Sequence, residues 1–293
     1  MLRFSDAQLN TTSVDDLLTN RSVLASRANP DHVRALAVLA YTNLWNGFVN
    51  KQLRGVPDYL TEFNTNVSMG YSAVLAFFAP LADLQALAPD EITSEASVGA
   101  ALGVPTANKN KSGSTAACFL QLRIDGQDDS GSRRVARLIA SRITEPAGRG
   151  DANALRVWNA AVEKMIVELT NAAQPVTAGW VFSSSKFYRG MRMNIRDYAY
   201  SVIRSLQNIF VSTARTYKVA ETFATGYLGA MDERWIVQLD VEPGVRVITV
   251  EEVLPKAWQC WFEDEVIIAP GAYYTLVEDT GYEPLNRQYL DPF

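Results

Sequence analysis

The hydrophobic pattern changes period partway along the chain, and that change narrows the available folds more than any other feature. In the first half, apolar residues recur every three or four positions. Val33, Leu36, Ala37, Ala40, Leu44 and Phe48 form one such stripe over 29–55. Asn29-Pro30-Asp31 opens it with a capping side chain, a proline at the first helical position and an acid in the first turn, and Gly55 stops it. Leu155, Trp158, Ala161, Val162, Met165 and Leu169 form a second stripe over 152–172. From 176 to 277 the apolar runs shorten: VTAGWVF, KFYRGMRM, RWIVQLDV, VRVITVEEV and EVIIAPGAYYTLV read as strands separated by helices and turns. A helix–strand crossover repeat is missing, as is any GxGxxG after a strand, which argues against a doubly wound sheet. The pattern predicts an α+β fold, helical in its N-terminal half and sheet-rich in its C-terminal half.

Length and residue usage set further bounds. A chain of 293 residues has room for two domains or one composite domain. The expected division is a polar N-terminal arm at 1–28, a mainly helical region at 29–175 with an insertion around 81–150, and a β-rich core at 176–293 on which the 29–55 and 152–172 helices pack. With 27 Lys and Arg against 32 Asp and Glu, the net charge is −5, which argues against a sequence-independent grip on nucleic acid. Two cysteines, Cys118 and Cys260, leave no disulfide framework, so a reducing, cytoplasmic environment is expected. His32 is the only histidine, which excludes a multi-histidine zinc site and any Ser-His-Asp arrangement away from residue 32. Any catalysis must then run on carboxylates, arginine, lysine and hydroxyls, or on a bound organic group, and no metal is expected. Residues 1–16 show no secretory leader. The longest apolar run, Ala73 to Ala82, is about half a bilayer crossing and contains Pro80, so no membrane segment is expected.

Three features of the C-terminal half bear on chemistry. Phe187-Tyr188-Arg189-Gly190 places aromatics before an arginine whose fork can clamp a phosphate, and Gly190 permits close approach of a ligand. Phe210-Val211-Ser212-Thr213-Ala214, followed by Val219, Ala220 and Phe223, places a hydroxyl pair on a strand edge. Trp258-Gln259-Cys260-Trp261-Phe262-Glu263-Asp264-Glu265 runs into the apolar strand Val266-Ile267-Ile268 and the turn Pro270-Gly271. Period-two geometry there puts Glu263 and Glu265 on one face, with Asp264 on the other. Taken singly, each reads better as a structural or solvated part of a strand than as a site.

Jointly, in this order and spacing, the three resemble the ADP-ribosyltransferases of the arginine–serine–glutamate type, the group that includes bacterial toxins and effectors, phage transferases and vertebrate arginine-specific enzymes. The first helix adds Tyr41-Thr42, Asn50 and Leu53-Arg54-Gly55, which look like a segment upstream of the catalytic core in the toxin branch. The resemblance covers 180–277 and, more thinly, 38–55. Ala214 departs from it, standing where the family has a second serine.

The resemblance implies two small packed β-sheets forming an NAD cleft, with NAD as co-substrate. It implies that Glu265 stabilises the positive charge that develops on the ribose as nicotinamide leaves, that Ser212 positions Glu265 with Thr213 beside it, and that Arg189 clamps the pyrophosphate or the adjoining ribose. Tyr188, Gly190 and Phe223 join the NAD contacts, and Glu263 faces an arginine acceptor and takes its proton. Trp258 and Trp261 cover nicotinamide, grip the protein target or simply pack. The expected reaction is transfer of ADP-ribose to an exposed arginine of a target protein by a monomeric enzyme, delivered into a host cell by a route that needs no signal peptide or acting in a phage-infected bacterium. The same residues would serve an NAD glycohydrolase, and a catalytically inactive protein of the same fold is the non-enzymatic alternative, favoured only by Ala214.

Overall fold

The computed structural model describes residues 30–56, 75, 78–79, 140–177, 186–193, 206–225, 233–254, 264–272 and 275–276. Within them it is a mixed structure of helices and antiparallel sheet, an α+β arrangement. The chain divides into two compact units, 1–172 with 252–260 and 173–251 with 261–293.

In the first unit, helix α1 (Pro30–Ala40) continues through a π-helical turn (Tyr41–Trp45) into helix α2 (Asn46–Leu53). Gly55, with φ 71°, ends the run as its sequence position predicts. Two findings depart from a simple amphipathic helix. Every residue from Ala35 to Tyr41 is buried, so α1 is enclosed on all sides where a single stripe was expected. The π turn also inserts an extra residue into the helical repeat, and there the Thr42 hydroxyl donates back to the Leu39 carbonyl at 3.0 Å. Asn50 Nδ2 donates to the hydroxyl of the buried Tyr41 at 3.2 Å, tying α2 to the π turn.

A second π turn (Ala140–Thr144) and the short helix α3 (Glu145–Gly148) lead into α4 (Ala152–Ala172). Asp151 caps α4: its carboxylate accepts the Ala154 N–H at 2.9 Å, satisfying one of the donors a helix start leaves orphaned. The buried face carries Val157, Trp158, Ala161, Val162, Met165 and Leu169, close to the predicted stripe, whereas Leu155 is only half-buried. Trp158 stacks on Trp45 with centroids 5.5 Å apart and meets Phe48 edge-on at 5.6 Å, so the aromatics of the two sequence stripes form one cluster. Glu168 is buried on the same helix and ion-pairs with Lys164 one turn earlier at 2.5 Å.

The second unit is built on a sheet. Its strands are β1 (Gln174–Pro175), β2 (Lys186–Met193), β3 (Val211–Ala214), β4 (Glu233–Asp240), β5 (Arg246–Thr249), β6 (Glu265–Ile268) and β7 (Thr275–Leu276). They lie in the order β1-β5-β6-β3-β2-β4-β7, with every pairing antiparallel. Helix α5 (Tyr217–Thr225) follows β3, and α6 (Val250–Val253) follows β5. Val250 to Val253, expected to continue a strand, turn helical instead.

One seven-stranded sheet stands where two small sheets were expected. Its halves nonetheless meet at a single residue pair. β2 pairs with β4 over all eight residues and β3 pairs with β6 over all four, while β2 and β3 share only Tyr188 opposite Ala214. The hydroxyl-bearing strand β3 is therefore central, not an edge. On β6, Val266, Ile267 and Ile268 are all fully buried, so both faces of the strand are covered. Pro270-Gly271 forms the predicted turn, with Gly271 at φ 89° and its N–H on the Gln207 carbonyl at 2.8 Å.

Two measurements of unfolding free energy check the first unit. Removing the cap with Asp151→Ala should lower stability by about 1 kcal/mol. Emptying the aromatic cluster with Trp158→Ala should cost about 3–5 kcal/mol.

Candidate functional site

The register of the central strands brings the sequence-predicted residues together. On β3 and β6, Ala214 lies opposite Glu265, Thr213 opposite Val266 and Ser212 opposite Ile267. Directly opposed residues share a face and alternate residues return to it, so Ser212, Ala214 and Glu265 occupy one face, with Tyr188 in the same cross-strand row. Ser212 and Glu265 are thus diagonal neighbours, and the Ser212 hydroxyl donates to Glu265 Oε1 although 53 residues separate them in the chain. Donation to a carboxylate favours its charged form and fixes its rotamer.

Arg189 contacts Ser212 from β2, although strand alternation sets it on the face opposite Tyr188, Ser212 and Glu265. Its Nη1 donates to the Ser212 main-chain carbonyl at 2.5 Å, beside the one residue pair that links the two halves of the sheet. The guanidinium therefore bridges the junction, and Ser212 is held by its main chain on one side while its hydroxyl holds Glu265. Phe187, immediately before the pair Tyr188-Arg189, is fully buried and anchors β2. Tyr188 is half-buried, packs on Ala220 and Ile236, and meets Tyr217 edge-on with centroids 5.6 Å apart. Gly190 pairs with Ile236.

Thr213, expected among the cofactor contacts, is buried on the opposite face, where its hydroxyl donates to the Val266 carbonyl at 2.6 Å. Strand alternation imposes this: a residue next to Ser212 cannot share its face. Ala214, the departure from the family pattern, is buried directly across from Glu265. Phe223 lies on α5, and its side chain lies outside the described residues, as do Glu263, Trp258 and Trp261. The extended alternation expected across 263–265 stops at Glu265. β6 begins there, and Asp264 has φ 41°, the one positive φ of a non-glycine residue among the described residues. Aspartate tolerates this left-handed conformation better than most residues, at a cost of about 1 kcal/mol.

Three residues around that turn were not singled out in the sequence. Arg215 donates its main-chain N–H to the Asp264 carbonyl at 3.3 Å, and its guanidinium meets the carboxylates of Asp264 at 3.3 Å and Glu251 at 2.5 Å. Arg215 follows the Ser-Thr strand and Asp264 sits between two glutamates, which are the only local signals. Nothing in the sequence ties Glu251 to either. Burial raises the Asp264 carboxyl above its ordinary value, with Arg215 opposing the rise and Glu251 adding to it.

No cluster of three or more His, Cys, Asp or Glu that could hold a metal ion occurs among the described residues. No helix among them is long and apolar enough to cross a membrane. No family model, curated protein or solved structure matches the chain.

The raised Asp264 pKa has a definite sign in stability. A carboxyl that holds its proton more tightly when folded stabilises the native state most in acid, and that contribution declines as pH rises from the unfolded value, about 3.9, through the raised folded value. Asp264→Asn should remove this decline. Melting temperatures of variant minus parent should therefore move in the variant's favour as pH rises through that window, and a constant or falling difference would contradict the assignment.

Proposed function

We propose that the chain is an NAD-dependent mono-ADP-ribosyltransferase that transfers ADP-ribose to arginine side chains of a target protein. The observation that carries this reading is the Ser212 hydroxyl on the Glu265 carboxylate, with Arg189 on the main chain of the same serine. These are the three side chains whose order in the sequence suggested the reaction, and they come from three different strands.

In this reaction the bond between the nicotinamide nitrogen and ribose C1′ breaks, and its electron pair leaves with nicotinamide. A bond forms between C1′ and an arginine nitrogen, which gives up its proton. Glu265 supplies negative charge beside the carbon that becomes cationic, where a fixed carboxylate is worth most because it need not reorganise. Ser212 keeps that carboxylate oriented. The Arg189 guanidinium supplies positive charge for the pyrophosphate or the adjoining ribose. Glu263 orients the acceptor guanidinium and takes the proton, a role that rests on its place in the sequence.

Ala214 is the one change that favours an inactive protein, and Ser212 is the hydroxyl that offsets it. The hydroxyl missing at 214 is one that faces Glu265 directly, and Ser212 reaches the same carboxylate from the diagonal position. The setting that accompanies this reading is the cytoplasm, of a host cell for a delivered effector or of a bacterium for a phage enzyme.

Incubation with labelled NAD and an arginine-rich protein mixture tests the reading. Glu265→Gln should slow nicotinamide release by about 100-fold or more, as loss of a preorganised charge does. Ser212→Ala should slow it by about 10-fold, since the carboxylate survives but loses its orientation. Glu263→Gln should retain NAD cleavage and lose transfer to arginine. Cleavage to free ADP-ribose with every acceptor would assign a glycohydrolase, and folded protein that neither binds nor cleaves NAD would overturn the reading.

A further inference from the structure

The ends of three strands converge on the residue that precedes Glu265. Arg215 is one residue past β3, Glu251 two past β5, and Asp264 one before β6. Asp264 has a left-handed backbone, so the chain enters β6 through a conformation that an ordinary extended residue would not supply. An ion pair at this degree of exposure does little by itself. Arg215 differs from such a pair because it grips Asp264 twice, through main chain and side chain, and braces the same guanidinium on a second carboxylate. Nη1 alone makes both carboxylate contacts, so a lysine ammonium at the same place could keep part of this tie.

We propose that Arg215 is the positioning residue for Glu265: by holding the left-handed turn at Asp264 against the Glu251 brace, it sets where β6 begins and so where the Glu265 carboxylate meets Ser212. This rests on the transferase reading for its kinetic consequence, and on the geometry alone for its structural one. The Arg215 guanidinium contacts Asp264 and Glu251. Its effect passes through Asp264, the covalent neighbour of Glu265. The helix α6, which carries Glu251, follows β5, and β5 pairs with β6 from Val247 to Thr249, so the brace extends from the strand beside the braced one.

Steady-state kinetics of NAD cleavage by the full chain, with hydrogen exchange on the same ligand-free proteins, tests this. Arg215→Gln should lower kcat by about 10- to 100-fold with KM for NAD changed by less than about twofold, because a displaced carboxylate loses rate and not ground-state binding. Arg215→Lys should recover part of that loss. Arg215→Gln with Asp264→Asn should be no slower than the slower single variant, because the two changes break one tie. A KM rise at unchanged kcat, a double variant whose losses multiply, or an unchanged kcat overturns the proposal. If Arg215→Gln does not fold, Glu251→Gln at its half-exposed site weakens the brace and should still lower kcat, by about threefold to tenfold.

Exchange separates the two readings. Amides at 264–266 should exchange about 10-fold faster in Arg215→Gln while those of the β2–β4 pairing keep their protection. That pattern in a protein that does not cleave NAD would sink the transferase reading and leave the tie standing. Unchanged exchange and unchanged kcat in a protein that does cleave NAD would sink the tie and leave the transferase reading standing.

Discussion

The register of β3 against β6 is the constraint on which the rest of the second unit depends. With Ala214 opposite Glu265, Ser212 and Glu265 fall on the same face, one diagonal step apart, and the hydroxyl reaches the carboxylate. Slipping one strand by a single residue would send every side chain to the other face and put Thr213 where Ser212 stands. Burial of Val211, Val266, Ile267 and Ile268 opposes the slip, since a change of face has no exposed side to offer them. The Thr213 hydroxyl on the Val266 carbonyl opposes it too, as a bond specific to this register. Two adjacent hydroxyls thus divide the work: Thr213 holds the strands in place, and Ser212 uses the placement.

Around this register the chemistry-bearing residues sit where the regular pairing gives out. The ladder between β2 and β3 is reduced to Tyr188 opposite Ala214, and beside it a side chain, Arg189, takes up the Ser212 carbonyl. At the same end of β3 the regular strand of β6 begins at Glu265, and a left-handed aspartate with a raised pKa leads the chain into it. Strand interiors have their polar groups satisfied and their faces covered, so charged side chains are held at ends and junctions. The cost of holding them shows in the conformation of Asp264 and in its partial burial.

Much of this was legible in the sequence, for local reasons. The α4 stripe, the Gly55 stop, the Pro270-Gly271 turn and the strand at 186–193 follow from periodicity, left-handed glycine and turn chemistry, each of which acts within a few residues. What was misread also has local causes. Ala35 to Tyr41 is apolar at nearly every position, so a stripe could be drawn through it while burial was complete all round. Val250 to Val253 continues the β-branched run of β5, but its central Glu251-Glu252 favours a helix, and the segment forms a helical turn. The alternation drawn across Glu263 to Glu265 assumed an extended backbone at Asp264, and a single left-handed residue removes that assumption.

By itself the sequence determined which chemistry was available and roughly where it lay: one histidine and two cysteines exclude whole classes of site, and an arginine and a serine stand within, and a glutamate at the start of, recognisable strands. Those are properties of composition and short-range pattern. The tertiary structure decided that the three come within hydrogen-bonding reach, that Thr213 faces away from them, and that Arg215, Glu251 and Asp264 close around the entrance to β6. Contacts between residues 23 to 53 positions apart depend on strand order and register, and these are settled by which faces the assembled sheet can bury, a condition that no short segment of the chain contains.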